Sequence, residues 1–185
     1  MSRNLSQIGG PVLLIAGAVL GGLSAYVASD VIGTAPIVKG SPWTQRPVAV
    51  ENPAEPYTVA HFLLEGRLPP PASQVTELTA FADQDGNRIT SACVVELQLP
   101  PGARPRWWSI GVLGQTGSIL SSDRVVAEPD GSIRISIASS PKPGNWIEAP
   151  GNRSYALIYS AAVSDFGAGF TSGSLPLFTI TRGAC

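Results

Sequence analysis

From Ile8 to Ala28 the chain reads IGGPVLLIAGAVLGGLSAYVA, 21 residues without a charged side chain. A helix of that length is about 30 Å long, the thickness of a bilayer's hydrocarbon core. Arg3 precedes the run and Asp30 follows it. The positive-inside bias therefore places the short end, residues 1–7, in the cytoplasm and the long remainder across the membrane. A cleaved signal peptide is the alternative, but its apolar core is ordinarily about 7–15 residues and closes on a small-residue site. Val27-Ala28-Ser29 is the nearest such site, and an uncleaved anchor over residues 8–28 is the expectation. Gly17, Gly21 and Ala25 recur at every fourth position of the span, a small-residue stripe that would let a second helix approach closely, although such residues are common in membrane helices anyway.

Residues 29–55 carry GTAP, KGSPW and ENPAEP, a Pro- and Gly-rich composition that reads as a tether. EPYTVAHFLLEG follows, with Val59, Phe62 and Leu63 at helical spacing. Pro56 suits a first turn and Gly66 a stop, which predicts a short amphipathic helix. LPPPAS ends it, so residues 56–73 are helix and Pro-rich linker.

Beyond residue 73 the apolar period changes to two. In NRITSACVVELQL, Ile89, Cys93, Val95, Leu97 and Leu99 alternate with polar residues, the pattern of a strand with one buried face. VTELTAFA before DQDGN, and VVAE before PDGSIRISIA, place Asp-Gly turns between extended runs and predict hairpins. WWSIGVL, SYALIYSA and LPLFTIT complete a set of short strands. The expected fold for residues 74–185 is mainly β, an all-β sandwich of jelly-roll-like form.

Two cysteines, Cys93 and Cys185, lie in the part expected to be exported. In an oxidising compartment an even pair reads as one disulfide, with two buried thiols as the alternative. The bond would close a loop of about 90 residues and stop the final strand from fraying.

The chemistry is sparse. Net charge is −1 and charged residues are 14% of the chain, with no basic stripe, so nucleic acid has no electrostatic footprint here. His61 is the only histidine. It lies on the helix, and metal sites needing two imidazoles are excluded. As a catalytic base it has no partner pattern, and a helix histidine beside Tyr57 is the ordinary explanation. Asp83, Asp85, Asp123, Glu128 and Asp130 surround turns, which accounts for them before paired-acid hydrolysis or calcium binding does. No catalytic residue, metal or cofactor is expected. The aromatic signal is stronger. Alternation sends Trp107 and Trp108 to opposite faces, and if Trp108 shares its side with Ile110 and Val112, Trp107 is left outward beside Arg104 and Arg106. With Trp146 and Tyr155 these are the candidate ligand contacts. In KPGNWIEAPG the scaffolding reading is preferred: an irregular crossover in which Trp146 caps the end of the sandwich and Asn145 satisfies loop backbone groups.

WWSIGVL, PDGSIRISI, PGNWIEAP, YALIY and LPLFTITRGAC resemble, in order and spacing, the bacterial family called domain of unknown function 1214, over roughly Thr76 to Cys185. Upstream, EPYTVAHFLLEGRLP is similar to the helix of its short, single-span alphaproteobacterial members. Glu55 stands where that pattern has Asp, and Glu148 where proline is usual. The resemblance implies a β-sandwich in the periplasm, held to the inner membrane. It also implies a companion, domain of unknown function 1254, either fused or on a separate membrane-anchored protein, and it brings no accepted activity. The expected function is a non-catalytic interaction or accessory component of a cell-envelope assembly. An envelope glycan- or small-ligand-binding module is the alternative, and a hydrolase a lesser one.

Overall fold

The computed structural model describes residues 5–31, 35–36, 40–45, 56–64, 66–68, 74–102, 104–113, 119–151, 153–162 and 175–185. Two helices come first, α1 (Leu5–Val31) and, after two short strands, α2 (Pro56–Leu64). Within α1 the stretch Gly10–Ser29 has a mean hydropathy of 2.0 and is long and apolar enough to cross a membrane. A membrane anchor and a signal sequence both have this form.

The strands are β1 (Ala35–Pro36), β2 (Trp43–Gln45), β3 (Val75–Ala80), β4 (Val95–Leu99), β5 (Trp108–Val112), β6 (Ile119–Ser121), β7 (Ile133–Ala138), β8 (Asn145–Glu148), β9 (Leu157–Ala162) and β10 (Thr179–Arg182). They form two sheets, one of six strands in the order β1-β2-β3-β9-β5-β6 and one of four in the order β10-β4-β7-β8. Alternation drives both. Leu78 and Ala80 on β3, Trp108 and Ile110 on β5, and Leu157 and Tyr159 on β9 point inward from the first sheet. Val95, Leu97 and Leu99 on β4 and Ile133, Ile135 and Ile137 on β7 point inward from the second, and all belong to one buried cluster. Two sheets sharing one core is the arrangement a sandwich requires.

Four aromatic rings stand at the middle of that core. Trp108 and Phe178 lie 5.3 Å apart, Tyr159 and Phe178 5.2 Å, and Trp43 and Tyr159 5.9 Å, each pair tilted or edge-on, the geometry ring quadrupoles favour. Trp43 and Tyr159 also find partners for their polar tips. Trp43 Nε1 donates to the Phe178 carbonyl at 2.6 Å, and the Tyr159 hydroxyl donates to that of Pro176 at 3.2 Å. Burial pushes the Tyr159 hydroxyl up from its ordinary value, with Arg104 pulling weakly the other way, so it stays protonated.

The structure corrects the sequence reading in five places. The segment read as a tether contributes β1 and β2, and Trp43 is fully buried. Its ladder to Leu78–Ala80 is a long-range pairing, which local composition does not encode. The two Asp-Gly turns do not join neighbouring sheet strands, because β3 and β4 lie in different sheets, as do β6 and β7, although an isolated antiparallel bridge from Ala82 to Arg88 flanks the first. Each turn instead closes on itself and redirects the chain: Asp83 N donates to Asn87 O, and Glu128 N to Ser132 O. The long alternating run from Ile89 to Leu99 is a strand only over β4, since Cys93 N turns back to Thr90 O. On α2, Phe62 is buried as its spacing predicts, but Leu63 is exposed. Finally, KPGNWIEAPG is not an irregular crossover: it holds β8, paired parallel to β7.

The Cys93–Cys185 disulfide is formed. It ties the segment after β10 to the turn before β4, beside the bonds from Val94 N to Ala184 O and from Gly183 N to Val94 O, both 2.8 Å.

Candidate functional site

Trp107 and Trp108 begin the site because they divide it. Trp108 is buried in the core while Trp107 is 43% exposed, the split that adjacent positions on a strand must produce. Backbone bonds hold the pair in place, from Ala162 N to Trp107 O at 3.0 Å and from Ser122 N to Trp108 O at 2.9 Å. Around Trp107 lies an open groove of about 400 Å³ lined by Arg104, Arg106, Trp107, Ser122, Asp123 and Ile133, among others.

Arg104 is fixed by donating through its guanidinium to the carbonyl of Gly131. That carbonyl belongs to a turn in which Gly131 adopts φ +83°, a conformation glycine takes without a Cβ penalty. Asp130 locks the same turn by accepting from Ser132 N at 2.8 Å and from Ser132 Oγ at 2.7 Å. Arg104 Nε is buried with no hydrogen-bond partner among the described residues, an unspent donor in the groove wall. Asp123 accepts from the Ser121 hydroxyl, which, with its own backbone, holds its carboxyl below the usual range. The groove thus offers an exposed indole face, two cations and one anion.

The other candidates lie elsewhere. Tyr155 sits at the opposite end of the β5–β9 pair, where Leu113 N donates to Ala156 O, about 17 Å of strand away. There it borders a second hollow of about 460 Å³ with Leu113, Pro150, Arg153 and Ser154. Its buried hydroxyl has no partner among the described residues and is pushed up by burial. Trp146 borders neither hollow. It is half-buried on β8 and donates from Nε1 to Ala138 O at 3.1 Å. So Arg104, Arg106 and Trp107 come together, and Trp146 and Tyr155 do not join them. His61 is on α2, its ring edge-on to Phe62. Gly17, Gly21 and Ala25 are exposed on α1, and a Cβ at Gly17 or Gly21 would meet nothing within 4 Å. Among the described residues no group of three or more His, Cys, Asp or Glu could hold a metal ion.

Ser122 and Asp123 are wall residues that the sequence did not single out as such. Pairing of the short β6 to β5 brings them beside Trp108, and a three-residue edge strand with an exposed Ile119 leaves no periodic signal.

The Asn-Trp motif has a structural explanation. Parallel neighbours ordinarily need a crossover of a dozen or more residues, yet only residues 139–144 separate β7 from β8. Side chains close this short return. Asn145 accepts from Val126 N at 2.8 Å and donates to Val126 O at 2.7 Å and Arg134 O at 2.8 Å, while Trp146 reaches Ala138 as above. Asn145→Ala removes three hydrogen bonds to solvent-accessible backbone groups and is expected to cost about 0.5–1.5 kcal/mol. Trp146→Ala loses packing and one hydrogen bond, at about 2 kcal/mol. Urea unfolding of both variants checks this, and an unchanged midpoint would contradict it.

Comparison with known proteins places part of the chain. Residues 74–162 match the family described as protein of unknown function (DUF1214). The matched stretch runs from just before β3 to the end of β9 and contains Arg104, Trp107, Trp146 and Tyr155. Among solved structures, the VPA0106 protein from Vibrio parahaemolyticus is similar at a TM-score of 0.55 and 13% identity, covering 99% of this chain and 47% of its own. That likeness concerns the fold alone. An uncharacterized protein from Burkholderia cenocepacia matches at a TM-score of 0.44 and 19% identity, over 58% of this chain and 29% of its own. The chain therefore spans less than half the length of either. No curated protein matches it.

Proposed function

We propose that this chain is a non-catalytic, inner-membrane-anchored protein of the short DUF1214 type that works by association. In this reading α1 holds it in the membrane. A jelly-roll-like sandwich in the periplasm presents the Arg104–Trp107 groove to a companion component of a cell-envelope assembly. The observation that carries the reading is Trp107, a large aromatic left 43% exposed in a groove wall beside Arg106 and the anchored Arg104. Aromatic and arginine side chains at the centre of a patch are what binding hot spots are made of.

Three of the acids are set against a general-acid role. Burial alone would raise Asp83, but hydrogen bonds from Asn87 and Asp85, with Arg182 at 3.5 Å, outweigh it and hold the carboxyl low. Asp130 is held low by the Ser132 hydroxyl and backbone, and Asp123 by Ser121. A glycosidic general acid needs the opposite shift.

The test is co-purification of the detergent-extracted protein with a co-expressed membrane-anchored protein carrying domain of unknown function 1254. Trp107→Ala and Arg106→Ala, both at exposed positions, are expected to leave the unfolding midpoint unchanged and to reduce capture at least tenfold. Capture equal to the parent's would sink the reading.

A second reading rests on the same indole. An exposed tryptophan beside arginine and aspartate in an open groove also suits stacking on a sugar ring, which makes an envelope glycan the alternative ligand. Tryptophan fluorescence titrated with peptidoglycan fragments separates the two, since a folded protein that gives no response binds no such glycan.

A further inference from the structure

The leucines of α2 are spent differently from the rest of the apolar side chains. Phe62 is buried, yet Leu63 and Leu64 are each 62% exposed and Leu68 is 82% exposed, three large aliphatic side chains within six residues. The helix end between them is rigid. Arg67 N donates to Phe62 O at 2.8 Å and Gly66 N to Leu63 O at 3.0 Å, with Gly66 at φ +67°. This is a Schellman closure, which sets the direction in which Leu68 leaves the helix. Arg67, the cation in this stretch, is drawn away from the leucines: it pairs with Glu77 of β3 at 2.5 Å and lies 5.5 Å over the Phe62 ring.

The position of α2 gives the leucines a partner. From Gly10 to Val27, α1 is exposed, and it becomes covered only at Ala28 and Ser29. Since α1 packs against α2, the junction lies at that last turn, where a span of about 30 Å leaves the hydrocarbon. At nine residues, α2 is about 14 Å long, so Leu63 and Leu64 stay within that reach of the exit point, and Leu68 follows just past the helix closure.

We propose that Leu63, Leu64 and Leu68 seat in the interface of the same bilayer that α1 crosses. There α2 forms a collar, and through Arg67–Glu77 it fixes the height and tilt of the sheets above the lipid. The proposal rests on α1 being a retained anchor. A nine-residue helix would bind lipid poorly alone. Tethering by α1 removes that cost by holding it at the surface continuously. Lipid is favoured over a protein partner because the patch continues from the apolar span itself and its neighbouring cation is already neutralised.

The experiment uses the full chain in vesicles of phosphatidylethanolamine and phosphatidylglycerol. Nitroxides are carried one at a time by Leu64→Cys, Leu68→Cys, Leu20→Cys and Lys142→Cys, with the native disulfide intact. Each label's collisions with oxygen, which partitions into lipid, are compared with those with a water-soluble nickel chelate. Oxygen is expected to win by several-fold at 64 and 68, as at 20, and nickel at 142. Nickel winning at 64 and 68 while oxygen wins at 20 overturns the collar and leaves the anchor standing. Shielding from both reagents at 64 and 68 also overturns it, because a protein would then cover the leucines. Nickel winning at 20 removes the anchor, and the collar with it.

Discussion

Trp43→Ala is expected to lower the unfolding free energy by about 3–5 kcal/mol, the largest loss from any single side chain outside residues 74–185. Trp43 is fully buried, packs on Tyr159 and bonds to the Phe178 carbonyl. Truncation therefore leaves a cavity and an unpaired carbonyl in one place. Its effect reaches β2, which pairs with β3 from Trp43 to Gln45. Trp43→Phe should recover most of the packing and lose only the hydrogen bond, about 1 kcal/mol. Equilibrium urea unfolding of both variants checks the order, and a Trp43→Ala protein as stable as the parent would mean that the segment before α2 is a tether after all.

Reduction of Cys93–Cys185 is expected to cost about 2–5 kcal/mol. The bond spans 92 residues of sequence, a long loop whose closure removes much of the unfolded chain's freedom. It also anchors the segment after β10, where Gly183 N donates to Val94 O and Val94 N to Ala184 O. A reductant should therefore lower the urea midpoint of the parent protein, and the Cys93→Ala/Cys185→Ala variant should start low and respond no further. Equal midpoints with and without reductant would show that the sheets hold β10 unaided.

These two predictions mark where sequence reading succeeded and where it stopped. The disulfide is legible because the chain has two cysteines, and a single even pair leaves few alternatives. The strands β5, β7 and β9 are legible because an apolar residue recurs at every second position of each, with that face committed to the core. Trp43 was hidden in GSPW, since a three-residue strand is held by its ladder to β3 and by Phe178 rather than by any local pattern. β8 was hidden for a related reason: Pro141, Pro143 and Gly144 announce a loop, and only the side chains of Asn145 and Trp146 reveal that the loop returns parallel to its own strand.

The site shows the same division. Adjacent tryptophans on a strand must face opposite ways, so the outward setting of Trp107 beside Arg104 and Arg106 followed from alternation. The anchoring of Arg104 on the Asp130–Ser132 turn and the arrival of Ser122 and Asp123 depend on contacts between residues far apart in sequence. Tyr155 and Trp146 were grouped with the groove by residue type alone, and the fold separates them from it.

The central claim is that the Trp107 groove is where this protein meets its partner, and site-specific photo-crosslinking in native membranes tests it most directly. A photoreactive phenylalanine at position 107 is expected to yield one discrete adduct heavier than the parent chain. The same probe at position 142, in the exposed connection before β8, is expected to yield none. Adducts at 142 with none at 107 would contradict the account.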